Sequence, residues 1–144
     1  MPSLRRSNSC RRSDCPIANA LDLLGDLWSL LIVRDVVFRG FREFGQFLGA
    51  DEGISTNILA ERLERLQCAG ILVRSDHPAD GKKYVYRLTE KGVDLIPLLF
   101  DLVLWGAKYT PNHAAPAQVL REMRTNPEKM IADLRTALLK ELKT

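Results

Sequence analysis

The chain is poor in the residues that most metal, disulfide and catalytic chemistry needs. Its 144 residues include 3 cysteines and 2 histidines. An odd, sparse set of thiols makes no disulfide framework and fits a reducing compartment. Cys10-x4-Cys15 lacks the further Cys or His that would complete four ligands, so neither a metal nor a cofactor is expected. His77 and His113 each stand alone in loop segments, without a nucleophile or paired acid nearby in sequence, and no phosphate-binding glycine loop occurs. An enzyme is therefore not expected. No apolar run approaches the ~18 residues that span a bilayer, and the arginines near the N-terminus precede no apolar signal core. The expectation is a cytoplasmic protein with no membrane partner. One-sided charge is missing as well: the net charge is +3, and Arg5, Arg6, Arg11 and Arg12 against Asp14 place that excess within residues 1–15. Binding to nucleic acid must then be argued from architecture and local placement rather than from overall charge.

What is present is an ordinary globular balance, 46% apolar and 27% charged, over a length that supports one domain with a real core. Residues 1–14 are Ser/Arg-rich and read as a flexible basic tail, either simply solvated or an arm that reaches a phosphate backbone or minor groove. Pro16 suits the first turn of a helix capped by Asp14 or Cys15, with Ile17, Ala20, Leu21 and Leu24 on its apolar face. Gly25 breaks it, and Asp26 can cap a second helix that ends at Arg39-Gly40.

Residues 41–70 read as a short helix, a polar turn and a longer helix. Phe41, Phe44 and Leu48 share one face of the first; Leu59, Leu63 and Leu66 form the buried stripe of the second. Ser55 is a good N-cap for the longer helix, and Gly70 stands where a left-handed residue ends it. Cys68 sits beside the buried stripe and reads as packing. Thr56, Asn57, Ala60 and Glu61 open the other face: small and polar, the character needed to enter a DNA major groove. Residues 71–75 and 83–88 read as strands around a turn-rich loop, Tyr84, Tyr86 and Leu88 pointing one way and Lys83, Val85 and Arg87 the other. Lys82, Lys83 and Arg87 put cations on or beside the tip. A strand pair directly after a helix–turn–helix is a wing, whose natural partner is the sugar–phosphate backbone. Thr89 caps a helix that is apolar nearly all round from Val93 to Tyr109, with Pro97 near its start. A monomer of this size has little protein with which to cover such a helix, so a second copy is expected against it. After a linker, helices are expected around 117–124 and from Asn126, the last amphipathic with Met130, Leu134, Leu138 and Leu142 on one side, packed either on its own core or on the dimer partner.

The expected fold is mainly α with a small β-hairpin wing: a winged helix–turn–helix with extra N- and C-terminal helices for dimerisation. Residues 1–14 form the tail, 15–109 the DNA-binding and dimerisation domain, and 110–144 a linker and helical extension.

Cys15-Pro16-Ile17, Leu23-Leu24-Gly25-Asp26-Leu27-Trp28, Gly53-Ile54-Ser55, Leu59-x-x-Arg62-Leu63-x-x-Leu66, Gly70-Ile71-Leu72 and Tyr86-x-Leu88-Thr89-x-x-Gly92 follow one another at characteristic spacings. Over residues 15–106 the chain resembles HxlR-type transcriptional regulators, winged-helix relatives of the MarR group. The resemblance implies a homodimer on a near-palindromic double-stranded DNA operator, joined through the N-terminal and long C-terminal helices; Ile17, Leu21, Leu99, Val103 and Trp105 are the interface residues this implies. By position, Ser55, Thr56, Asn57 and Arg62 match the start of the family's recognition helix. Many members carry lysine where this chain has Asn57, and neutral polar residues around Ala60 and Glu61. A different operator is therefore expected, because Asn pairs with adenine and Glu accepts from cytosine.

In some members of the family a cysteine before Pro-Ile senses oxidants or electrophiles, which makes Cys15 a redox candidate. A helix N-terminus with Arg11 and Arg12 nearby favours thiolate, and a disulfide to Cys10 or to the other subunit would move the paired recognition helices. The alternative is an unreactive thiol in a family-typical position. Two competing classes stay open. One is a winged-helix module that binds protein, favoured by acidic Glu61 and Glu64. The other is a regulator with a small-molecule effector, unidentified, in a pocket between dimer helices.

Overall fold

The computed structural model describes residues 11–144. Cys10, Arg5 and Arg6, and with them most of the expected tail, lie outside the described residues. Helix α1 (Pro16–Leu24) starts at its proline, which needs no N–H partner there, and Gly25 closes it. Asp26 then starts α2 (Ser29–Arg39) by accepting from the backbone N–H of Trp28 and of Ser29, each at 3.0 Å. Helix α3 (Phe44–Leu48) and helix α4 (Thr56–Cys68) form the helix–turn–helix. Strands β1 (Leu72–Asp76) and β2 (Tyr84–Leu88) pair antiparallel, from Leu72 opposite Leu88 to Asp76 opposite Tyr84. Then come α5 (Glu90–Val93), α6 (Ile96–Tyr109), α7 (Ala117–Thr125) and α8 (Pro127–Leu142). No helix among the described residues is long and apolar enough to cross a membrane.

The core lies where α2, α3, α4, the base of the hairpin and α6 meet, around Val33, Val36, Phe47, Leu59, Leu63 and Leu88. The first helix of the pair starts at Phe44 rather than at Phe41. Glu43 and Gln46 form a reciprocal capping box there, and Phe47 is the fully buried anchor that the Phe41–Phe44–Leu48 reading passed over. Ser55 accepts from the N–H of Ile58 at 3.3 Å, and Gly70 takes a left-handed φ of 76°, so both ends of α4 follow the sequence reading. Lys91 closes the helix further by donating to the Ala69 carbonyl at 2.7 Å.

Three expectations change, and one open alternative, the packing of the C-terminal helices, is decided. The apolar stretch 93–109 is two helices, because Pro97 lies in the first turn of α6 and the chain turns at Asp94–Leu95 before it. In β2, Val85 and Tyr86 are both buried while Tyr84 is exposed. Strict alternation fails because α8 packs against β2, so the strand is covered on both faces. The outer edge of β2 is engaged too, the Tyr86 N–H donating to the Arg42 carbonyl at 2.8 Å. The C-terminal helices pack on their own protomer: Leu120, Met123 and Leu138 are buried, and Glu141 takes the Arg42 guanidinium in a fork at 2.7 and 2.8 Å. Cys68, read as packing, is exposed.

Candidate nucleic-acid interface

Helix α4 is placed by its buried leucines, which turn the opposite face outward. Ser55, Thr56, Asn57, Ala60 and Glu61 are all exposed there. Asn57 has no side-chain hydrogen bond among the described residues, so its amide is presented to solvent. The turn before α4 is held by the Arg34 guanidinium, which reaches Glu52 at 2.7 and 2.9 Å and Asp35 at 2.9 Å. Asp35 is buried, and burial pushes its pKa up against the opposing pull of Arg34.

Arg62 does not join this outward set. Its side chain is 21% exposed and turned back across the domain, Nε donating to Asp26 Oδ2 at 2.8 Å, with Glu61 as a second ion partner. A residue at this position, one helical turn beyond Ile58 and beside buried Leu59 and Leu63, faces the α1–α2 corner rather than a groove. The groove assignment of Arg62 is therefore corrected to a helix-positioning role. Arg65 extends the tie by donating to the Asp22 carbonyl at 2.9 Å. Burial alone would raise the Asp26 pKa. The Ser29 hydroxyl at 2.5 Å, Arg62 and the two backbone N–H groups outweigh it and hold it at about 2.

On the wing, Lys82 and Lys83 are exposed in the loop, and among the described residues neither has a carboxylate partner. The loop folds on itself: Lys82 N–H donates to Asp80 Oδ1 at 3.0 Å, Ala79 N–H to His77 Nδ1 at 3.0 Å, and His77 Nε2 meets Glu43 at 3.1 Å. That last contact ties the wing to the start of α3. Arg87 is not at the tip. It donates to Ser75 Oγ across the hairpin at 2.9 Å and is half-buried, so its expected place beside Lys82 and Lys83 is corrected. Arg74, which the sequence reading missed, lies over the Tyr84 ring with its guanidinium carbon 3.9 Å from the centroid. Two adjoining hollows share Phe44, Arg74 and Tyr86; one extends to Ala60 and Glu64 on α4, the other to Lys82 and Lys83. The outward face of α4 and the wing cations thus border one continuous surface.

Of the expected interface residues, Ile17 and Trp105 are 70% and 69% exposed, Leu21 is exposed and Val103 is half-buried against the core. Leu99 is 4% exposed and packed inside the protomer. The break at Leu95 rotates α6 so that Ile96, Leu99 and Phe100 face inward, and Leu99 is withdrawn from the interface. Cys15 is exposed ahead of α1. Arg11 pairs with Asp14 at 3.2 Å and Arg12 with Asp22 at 2.6 Å, so both expected activators have carboxylate partners.

An outward-facing second helix, its turn and a cation-bearing hairpin define a winged helix–turn–helix protein. The HxlR-like helix-turn-helix family model matches residues 23–114, and the chain belongs to that family. It is 39% identical over 105 residues to an HTH-type transcriptional regulator of Mycobacterium tuberculosis, covering 73% of this chain and 65% of that protein's length. Among solved structures it is similar to the reduced form of the transcriptional regulator YodB from Bacillus subtilis, at 31% identity and a TM-score of 0.55, covering 70% of this chain and 99% of that one. The oxidised form of the redox regulator HypR superposes with a TM-score of 0.60 at 27% identity, covering 67% of this chain and 98% of that one.

Proposed function

We propose that this protein is a homodimeric, sequence-specific repressor that places the N-terminal end of α4 in the major groove of a near-palindromic operator. Ser55, Thr56 and Asn57 act in the groove, and Lys82 and Lys83 contact phosphates from the wing. The observation that supports this best is the adjoining surface: the wing lysines line one hollow and Ala60, on the outward face of α4, lines the next, the two sharing Phe44, Arg74 and Tyr86. A second copy covers Ile17, Leu21 and Trp105, which are left exposed on α1 and α6. The test is fluorescence anisotropy against the DNA flanking the protein's own gene. Affinity for one site there should exceed that for scrambled DNA by ~1000-fold or more and weaken steeply with salt. Equal, feeble binding to both at low salt rejects the reading in favour of a protein-binding module, which exposed Glu61 and Glu64 would serve.

Cys15 is proposed as an oxidant-responsive switch of this repressor, on its exposure before α1 and on the similarity to HypR, a redox regulator. Mild peroxide should release DNA from the wild type and leave Cys15→Ser bound. An identical response of both proteins removes Cys15 from the mechanism.

A further inference from the structure

We propose that α8 is a working part of the DNA-binding unit: through the Arg42–Glu141 fork it fixes the wing against the helix–turn–helix, and Arg42 and Glu141 are positioning residues for the wing's contacts with DNA. Helices α7 and α8 lie beyond residue 114, where the match to the family model ends, so this support is an addition to the matched domain. Arg42 is where three elements meet. Its backbone N–H donates to Gln46 Oε1 at 2.7 Å, which joins it to α3, and its carbonyl accepts from the Tyr86 N–H of β2 at 2.8 Å. Its guanidinium donates to the Val36 and Phe41 carbonyls at 3.0 and 2.8 Å. The same guanidinium holds Glu141 of α8 through Nε and Nη2 at 2.8 and 2.7 Å. Glu141 also faces β2. The hydrogen bonds from Arg42 hold its carboxyl below the ordinary range against the effect of burial, and the charge of Arg87 adds to the pull.

A wing needs such support. A two-stranded hairpin is marginal on its own, and β1 is exposed from Val73 to Asp76, so the hairpin is held through β2. Tyr86 hydrogen-bonds to Arg42 at the outer edge of β2, α8 packs against the strand, and the fork joins α8 back to Arg42. These three contacts close a triangle. With the fork open, the Tyr86 bond and the α8 packing share no fixed point, and the hairpin is free to turn about its edge. The tip amplifies that turn. Lys82 is four residues from Tyr86, or ~13 Å at about 3.3 Å per residue, so a tilt of about 10° displaces it by ~2 Å. A phosphate contact of ordinary hydrogen-bond length does not survive such a shift. His77, which meets Glu43 beside Arg42, ties the wing loop to the same segment. The fork is bidentate and the Arg42 side chain only 19% exposed, unlike open surface pairs that contribute little. The effect on DNA rests on the wing contacts proposed above; the clamp itself does not.

Glu141→Ala in the full chain tests the proposal. Arg135→Gln is the comparison, because Arg135 lies on the same helix and pairs with Asp94 instead. Without DNA, amide exchange at Tyr86 should be about tenfold faster in Glu141→Ala and unchanged in Arg135→Gln, with Leu63 in α4 unchanged in both. On the DNA site from the flanking region, Glu141→Ala should bind about tenfold more weakly by anisotropy, and Arg135→Gln as tightly as the wild type. Arg42→Lys keeps the charge but not the fork, and should reproduce the Glu141→Ala effect. The loss should vanish when Glu141→Ala is added to Lys82→Gln/Lys83→Gln, because a wing without its lysines has no contacts left to misplace. Wild-type exchange at Tyr86 in Glu141→Ala, equal speeding of Tyr86 and Leu63, or an equal effect of Arg135→Gln would overturn the clamp. A full further loss of affinity in the Lys82→Gln/Lys83→Gln background would overturn its route through the wing. If Lys82→Gln/Lys83→Gln itself binds as tightly as the wild type, the wing contacts proposed above fail, and exchange at Tyr86 still decides the clamp.

Discussion

Asp26 joins three jobs in one carboxylate. It starts α2, holds the Ser29 hydroxyl and fixes Arg62 from a helix 36 residues further on. Its pKa of about 2, below the ordinary 3.8, means that folding favours the ionised form. The stabilisation is fully present above pH ~4 and is lost as the pH falls through about 2, amounting to ~2 kcal/mol at neutral pH. Asp26→Asn should therefore lower unfolding stability by about 2 kcal/mol in urea titrations at pH 7, with a flatter acid limb than the wild type. Asn57 behaves differently because it supports no fold contact. Asn57→Ala should leave stability unchanged while removing ~1–3 kcal/mol of discrimination at one operator base pair, read by anisotropy on single-base variants. Unchanged preference at every position would mean that the amide reads no base.

At the scale of elements, the question is what keeps the wing at a fixed distance from α4. Thr89 is the junction: its hydroxyl donates to the Gly70 carbonyl at 2.5 Å and accepts from Gly92 N–H at 3.2 Å, while its own N–H donates to the Ile71 carbonyl at 3.0 Å. Gly92 packs so closely under this junction that an added Cβ would lie 2.4 Å from the Ile71 carbonyl oxygen and 2.8 Å from Leu88 Cδ2. The carbonyl cannot retreat without giving up the Thr89 bond. Gly92→Ala should thus cost at least ~2 kcal/mol of stability and loosen the wing, measured as faster amide exchange across β1 and β2. Exchange as slow as in the wild type would show that the junction adapts. These contacts also separate what was legible in the sequence from what was not. Ser55, Gly70 and Thr89 were readable because capping acts within a few residues, and α4 was readable because its leucines repeat at helical spacing. The Asp26–Arg62 and Arg42–Glu141 pairs, separated by 36 and 99 positions, leave no local signature. For the same reason Val85 looked outward until α8 was found packed against β2, and Arg62 looked like a reading residue until Asp26 was found beneath it.

For the whole molecule, the number of copies of α4 and the wing that engage DNA in the proposed complex decides how binding depends on salt. Trp105 and Tyr109 pack with ring centroids 5.5 Å apart and planes tilted by 56° on the outer side of α6, with Leu102 also exposed there. No described part of the protomer covers that side, and burying aromatic surface of this size between copies would contribute several kcal/mol to association (~25 cal/mol per Å²). Placing a carboxylate in the middle of it should prevent pairing, so Trp105→Glu should sediment as a monomer while retaining the wild-type helical spectrum. Neutralising one phosphate-binding cation lowers the slope of log affinity against log salt by ~0.9. In a dimer Lys82→Gln removes one such cation from each wing, so its slope should fall by about 2, whereas the Trp105→Glu monomer should show about half of the wild-type slope and no operator preference. A Lys82→Gln slope reduced by about 1 would mean that only one wing is engaged at a time. An unchanged slope would take Lys82 off the DNA altogether.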